Sequence, residues 1–331
     1  MNKRRKEIIA ACEISRVISL PLGGHSQKIL IEGRYADSPV VLFLHGGPGS
    51  PLPFNVGCRG LFPEFSEKFV MVYWDQLGCG INNRPLSDAL SVNDFTDMTI
   101  DLVKALREMF PKNRLVLFGV SWGSVLAAKA AAALPALVDG VFVYGQMLKN
   151  AFMNPEVYGA LSAANLPTGV RKRMDEIWAK KLHTIDDATK VSVWVRKYTE
   201  GYQVKTVEAM PLGEVIRGIL ASPDYSLKDF FALFVNGAQK SASLLEEMLR
   251  LDLSETLQQV QIPYMILQGD KDIVTSTQAI AAFAQSCGNS NISVSVIENS
   301  AHMPGKAAMD ILFGRLLLLA KGKGQPEEET K

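Results

Sequence analysis

The chain is 331 residues long, 47% hydrophobic and 21% charged, with a formal net charge of +1. That composition belongs to a globular protein with a sizeable core and excludes an intrinsically disordered chain. The near-zero charge excludes the basic footprint of a nucleic-acid or anionic-membrane binder, and no apolar stretch approaches the roughly 20 residues of a membrane span.

Four cysteines, Cys12, Cys58, Cys79 and Cys287, are scattered without a C-x-x-C pair. This predicts reduced thiols rather than a zinc site or redox motif. Cys58 and Cys79 neighbour glycine-rich segments and are either reactive thiols or, more commonly, small buried hydrophobes. The basic start, residues 1–6, is followed by an apolar run of only residues 8–12, too short for a signal-peptide core. A cytoplasmic protein is expected.

In chain order, residues 16–20 and 27–32 read as two strands joined by a hairpin turn at Leu22-Gly23-Gly24-His25. Residues 40–44 are continuously apolar, as in a strand covered on both faces of a parallel sheet. They end in His45-Gly46-Gly47-Pro48-Gly49, a loop whose backbone N–H groups can point into a crevice at the strand end. Residues 69–74 read as another strand, running into Asp75-Gln76-Leu77-Gly78-Cys79-Gly80. Residues 94–110 carry Phe95, Met98, Leu102, Ala105, Leu106 and Met109 at helical spacing.

Next comes Gly119-Val120-Ser121-Trp122-Gly123, between an apolar strand at 115–118 and an alanine-rich helix at 124–133. Strand, G-x-S-x-G, helix is the context of a nucleophile elbow. A side chain on so tight a turn sits in strained backbone, and small residues two places away let neighbouring backbone approach. Residues 138–144 read as a further strand.

From about 146 to 250 the pattern changes to helices, at 171–182, 188–198, 227–234 and 242–251. Strand character returns at 263–269, followed by a helix at 277–286, a last strand at 292–297 and a helix at 309–320. The polar tail, 321–331, is expected to be disordered. These elements predict an α/β fold: a mainly parallel, twisted sheet flanked by helices, with an inserted helical lid over the strand ends. The expected division is core at 1–145, lid at 146–254, core again at 255–320, and tail.

A serine hydroxyl needs a base and an orienting acid. In the order serine, acid, histidine, the base follows the last strand. Of the four histidines, His25 lies in the hairpin, His45 in the glycine loop, with its ring close to the site, and His183 in the lid; His302 is the one that fits. Gly269-Asp270-Lys271-Asp272 offers two acids after the preceding strand. Asp272 is preferred because it can turn back toward the histidine; Asp270 is the alternative and can instead support the turn by accepting backbone N–H bonds. Two N–H donors must face the developing oxyanion, and Trp122 and Gly47 are positioned to supply them.

His45-Gly46-Gly47-Pro48-Gly49, Tyr73-Trp74-Asp75-Gln76 with Gly78-Cys79-Gly80, and Gly119-Val120-Ser121-Trp122-Gly123-Ser124 together resemble the prolyl iminopeptidase branch of the α/β-hydrolase fold. The resemblance covers roughly residues 15–145 and 255–320. It implies a serine hydrolase that removes an N-terminal residue from short peptides, without metal or cofactor. Leu77 departs from the family, where arginine is common. In such peptidases lid carboxylates hold the substrate amine, since an ammonium taken out of water must be paired. Glu200, Glu208 and Glu214 are the candidates here. The lid aromatics Trp178, Trp194, Tyr198, Tyr202, Tyr225, Phe230, Phe231 and Phe234 either line an apolar acyl pocket or, more commonly, pack the lid itself. Relatives with the same core motifs are esterases and amidases. The expectations are therefore an aminopeptidase on small peptides, a carboxylesterase or other small-molecule acyl hydrolase, and, from another class, a non-catalytic binding protein of the same fold.

Overall fold

A computed structural model describes residues 1–87 and 90–322. Most of the expected tail lies outside these residues; Lys321 closes the last helix, Lys306–Lys321.

The sheet has eight strands: β1 (Ile14–Leu22), β2 (His25–Gly33), β3 (Val40–Leu44), β4 (Val70–Tyr73), β5 (Leu115–Val120), β6 (Gly140–Tyr144), β7 (Tyr264–Gly269) and β8 (Ile292–Ile297). Their order is β1-β2-β4-β3-β5-β6-β7-β8. The β1–β2 and β2–β4 pairs are antiparallel and all later pairs are parallel. Every residue of β3, β4 and β6 is buried, so these strands have no solvent face and read as unbroken apolar runs.

Because side chains alternate, each central strand feeds two cores. Val40, Leu42, Leu44, Leu115, Leu117, Val141 and Val143 pack on one face, against the helices Val92–Met109 and Trp122–Ala133. Val41, Phe43, Val116, Phe118, Phe142 and Tyr144 pack on the other, against helix Lys306–Lys321. Fully burying one such Val, Leu or Phe contributes roughly 1.5–3 kcal/mol. Helix Val92–Met109 begins at a reciprocal cap: Asp94 N–H donates to Ser91 Oγ, and Ser91 N–H donates to Asp94 Oδ2 at 2.8 Å.

Between β6 and β7 the chain forms helices including Pro155–Ala163, Thr168–Trp178, Ile185–Tyr198, Leu212–Leu220, Leu227–Phe231 and Ala242–Leu249. Two further apolar clusters hold most of them, with Val157, Leu161, Ile177, Val191 and Val195 in one and Val215, Ile219, Phe230 and Leu233 in the other, while Leu244 joins the first sheet-face core. The chain leaves and re-enters the core at a narrow neck. There Lys149 and Asp252 form an isolated antiparallel bridge, and Leu253 N–H donates to Leu148 O at 2.9 Å.

Most sequence-based bounds shift by a few residues at the ends, and among the described residues six α-helices were not expected: Lys3–Ala11, Pro63–Ser66, Pro155–Ala163, Leu212–Leu220, Gly237–Lys240 and Ser254–Gln258. The first has no apolar stripe to betray it. It is held instead by the buried Arg5, whose guanidinium donates to Gly57 O at 2.6 Å and to the carbonyls of Arg59 and Gly218. Such a tertiary anchor leaves no periodic signal.

Candidate active site

Ser121 sits between the end of β5 and the first turn of helix Trp122–Ala133, with φ 51° and ψ −117°. Positive φ on a residue with a Cβ stores roughly 1–3 kcal/mol and persists only where the surroundings fix it. They do so here: Ser121 N–H donates to Tyr144 O at 3.0 Å, and Ser121 O accepts from Ser124 N–H and Ser124 Oγ at 2.8 and 2.6 Å. The turn also requires backbone contact. A Cβ on Gly123 would lie 1.8 Å from Leu44 O, so only glycine lets the helix start against the end of β3.

The loops after β7 and β8 deliver the other two groups. His302 Nε2 lies 3.1 Å from Ser121 Oγ, and His302 Nδ1 lies 3.0 Å from Asp272 Oδ2. A carboxylate can only accept, so Nδ1 carries the proton and Nε2 is left free to accept the serine hydroxyl. Asp272 is fully buried. Val274 N–H and Thr275 N–H donate to its Oδ1 at 2.8 and 3.0 Å, and Thr275 Oγ1 donates to its Oδ2 at 2.7 Å. Burial alone would raise this carboxyl. The charge of the His302 ring and these hydrogen bonds outweigh it and hold Asp272 below the usual carboxylate range. Asp270 faces away from the histidine, and its Oδ1 accepts Ser300 N–H at 2.9 Å, bracing the loop that carries His302.

The glycine loop lies across from the serine. Gly47 has φ +119°, and a Cβ there would fall 2.6 Å from Gly49 N and 2.7 Å from Ser50 N. Trp122 is the first residue of its helix, so its N–H has no partner within that helix. Two braces that the sequence reading did not assign hold the site, one between the donor segments and one against His302. Gln76 links the two donor segments: its amide accepts from Trp122 Nε1 at 2.8 Å and donates to His45 O at 3.2 Å. Tyr202, from the helical segment, packs its ring 5.7 Å from the His302 ring, and its carbonyl accepts Met303 N–H at 2.8 Å. The W-D-Q segment was the available signal for Gln76; none existed for Tyr202.

His45 is not at the reacting face. It is fully buried, its Nε2 accepts Gln76 N–H at 3.0 Å, and burial lowers its pKa to about 4, so the ring is a neutral brace. Cys58 and Cys79 are buried, with their thiols pushed up by burial, which makes them packing groups rather than nucleophiles. Asp75 is also buried. It accepts from Val56 N–H at 3.0 Å, Ile81 N–H at 2.9 Å and the Tyr225 hydroxyl, and burial raises its pKa to about 6. Among the described residues no three His, Cys, Asp or Glu side chains gather as a metal site.

A cavity of about 190 Å³ opens on Ser121. Gly47 lines it with Met147, Ala151, Phe152, Ile185, Ala188, Thr189, Ser192, Leu245, Met248, Leu249 and Val274. The three carboxylates expected to meet a substrate amine are not among these residues. Glu200 pairs with Lys271 at 3.1 Å, Glu208 pairs with Lys306 at 3.3 Å, and Glu214 borders a separate surface cleft beside the N-terminal helix. Two of the three expected amine anchors are thus paired with lysines, and the third lies beside another cleft. None of the eight aromatics named above from the helical segment lines the cavity either. Most pack within the helical segment.

Residues 39–305 match the model of the family described as alpha/beta hydrolase fold. Over 296 residues the chain is 25% identical to the probable aminopeptidase YbaC of Bacillus subtilis, covering 86% of this chain and 90% of that one. The proline iminopeptidase of Neisseria meningitidis is 38% identical over 117 residues, about a third of each chain. Among solved structures, carboxylesterase CesB from Bacillus subtilis superposes with a TM-score of 0.59 at 16% identity, covering 95% of both chains, a likeness of fold.

Proposed function

This chain belongs to the family of the alpha/beta hydrolase fold, and from that premise we propose that it is a serine hydrolase cleaving an amide or ester bond through an acyl-enzyme. The observation that carries the proposal is His302, hydrogen-bonded on one side to the strained Ser121 and on the other to buried Asp272. Ser121 Oγ attacks the substrate carbonyl as His302 Nε2 takes its proton. Asp272 holds the Nδ1–H tautomer and stabilises the imidazolium. The N–H groups of Gly47 and Trp122 bind the developing oxyanion, where loss of one donor typically costs about 100- to 1,000-fold in rate. His302 then protonates the leaving group, and water releases the acyl group from Ser121. Residues 146–254 act as the lid, since Met147, Ile185, Ser192 and Leu245 wall the cavity above Ser121.

The likeness to an aminopeptidase over most of the chain supports a short peptide as substrate. A second reading, a carboxylesterase, is favoured by the cavity itself. Its side chains are apolar apart from the hydroxyls of Ser121, Thr189 and Ser192, and a desolvated ammonium there would lack the partner it requires. The unpaired cysteines suit the reducing cytoplasm.

The test is turnover of proline and alanine aminoacyl naphthylamides against short-chain p-nitrophenyl esters, with Ser121→Ala as blank. Amide turnover abolished by N-acetylation establishes the aminopeptidase; turnover of esters alone establishes the acyl hydrolase. Absence of Ser121 labelling by a fluorophosphonate would overturn the serine-hydrolase reading and leave a binding protein.

A further inference from the structure

Helix Ile185–Tyr198 presents one stripe to the cavity on Ser121: Ile185, Ala188, Thr189 and Ser192. At 3.6 residues per turn the next position on that stripe is Arg196. Its guanidinium carbon lies 3.7 Å from the centre of the Tyr202 ring, on an aromatic that itself packs against His302. Stacking of this kind holds a guanidinium's plane while leaving its N–H edge free to bind. Among the described residues Arg196 has no ion-pair partner, and the nearest acid in sequence, Glu200, is taken by Lys271. An exposed cation is therefore held one helical turn beyond the cavity-lining stripe, against the aromatic that packs on the His302 ring.

The His302 side has a chemical meaning. His302 hands its proton to the leaving group, so the leaving group departs past the His302 ring. We propose that Arg196 is a specificity-determining residue that binds a carboxylate on the leaving group, and that the preferred substrates carry such an anion. This inference rests on the serine-hydrolase reading above but not on whether the bond cleaved is amide or ester. In a short peptide the anion is the C-terminal carboxylate. The stacked pair places the guanidinium within about 10 Å of the His302 ring, a span bridged by a leaving group one residue long, at about 3.5 Å per residue, plus its contacts at either end.

The probes are two acetyl esters that differ only in the leaving phenol, 3-hydroxybenzoate or 3-hydroxybenzamide. In the wild type kcat/KM is expected to be about three- to tenfold higher for the benzoate, the range between an exposed ion pair and a forked, charge-assisted one. The preference should shrink as salt is raised. Arg196→Gln should bring the two esters to equal rates, and Arg196→Lys should keep part of the preference, because the charge remains without the planar fork. Fluorophosphonate labelling of Ser121 should be unchanged in both variants. Equal rates in a wild type that labels at Ser121, or a benzoate preference that survives Arg196→Gln, would overturn the role of Arg196 alone. Failure of the wild type both to label and to turn over either ester would overturn the serine-hydrolase reading beneath it.

Discussion

Replacing Gly123 by alanine tests the elbow with a change of one methyl group. The new Cβ would lie 1.8 Å from Leu44 O, 2.5 Å from Leu44 C and 2.9 Å from His45 O. All three are backbone atoms at the end of β3, a strand hydrogen-bonded on both sides, so the obstacle cannot swing away as a side chain would. The helix start must retreat by about 1.6 Å to bring the 1.8 Å approach to ordinary contact, and overpacking of this kind costs typically 1–3 kcal/mol. Trp122 N–H and Ser121 move with it, and a misplacement of about 1 Å at reacting groups can cost on the order of 100-fold in rate. The control is Gly314→Ala, at an exposed helical position with no atom within 4 Å of the added carbon, where alanine should stabilise by roughly 0.5–1 kcal/mol. Chemical denaturation and the rate of fluorophosphonate labelling read the two effects separately. A Gly123→Ala protein with wild-type stability and wild-type labelling would refute the claim that backbone contact between helix and strand positions the nucleophile.

Asp272→Asn preserves shape but removes the acceptor that fixes the His302 tautomer, and kcat should fall by roughly 10³- to 10⁴-fold with little change in KM; a loss below tenfold in steady-state assays would reassign the acid. Asp75→Asn addresses the buried carboxylate that accepts from Val56 N–H, Ile81 N–H and the Tyr225 hydroxyl. Its folded pKa, about 6, is raised by burial above the unfolded value, so the folded state holds the extra proton between about pH 4 and 6. Wild-type stability from this group is therefore present below pH 4 and lost as pH rises through 6, by on the order of 3 kcal/mol. The difference in unfolding free energy, wild type minus Asp75→Asn, should decline between pH 4 and 7; a pH-independent difference in denaturant titrations would contradict the assignment.

Much of this architecture was legible in the residues because the strands and the elbow obey local rules. Val40–Leu44, Ile292–Ile297 and helix Thr277–Ser286 match the bounds read from the sequence, since apolar runs and their periodicity report burial directly. Ser121 was marked by its flanking glycines, and His302 and Asp272 by their place in chain order; the fold then brings all three into one hydrogen-bonded chain. What only the tertiary structure decided was orientation. Asp270 and Asp272 lie on one turn, and they part company because the loop after β8 meets one with Ser300 N–H and the other with the His302 ring. Glu200 and Glu208 are paired with lysines from outside the helical segment, Lys271 and Lys306. Gln76, Tyr202 and Arg5 act through partners tens to hundreds of residues away. A polar side chain of this kind leaves no pattern in its own neighbourhood, because its energy depends on which group the fold places opposite it.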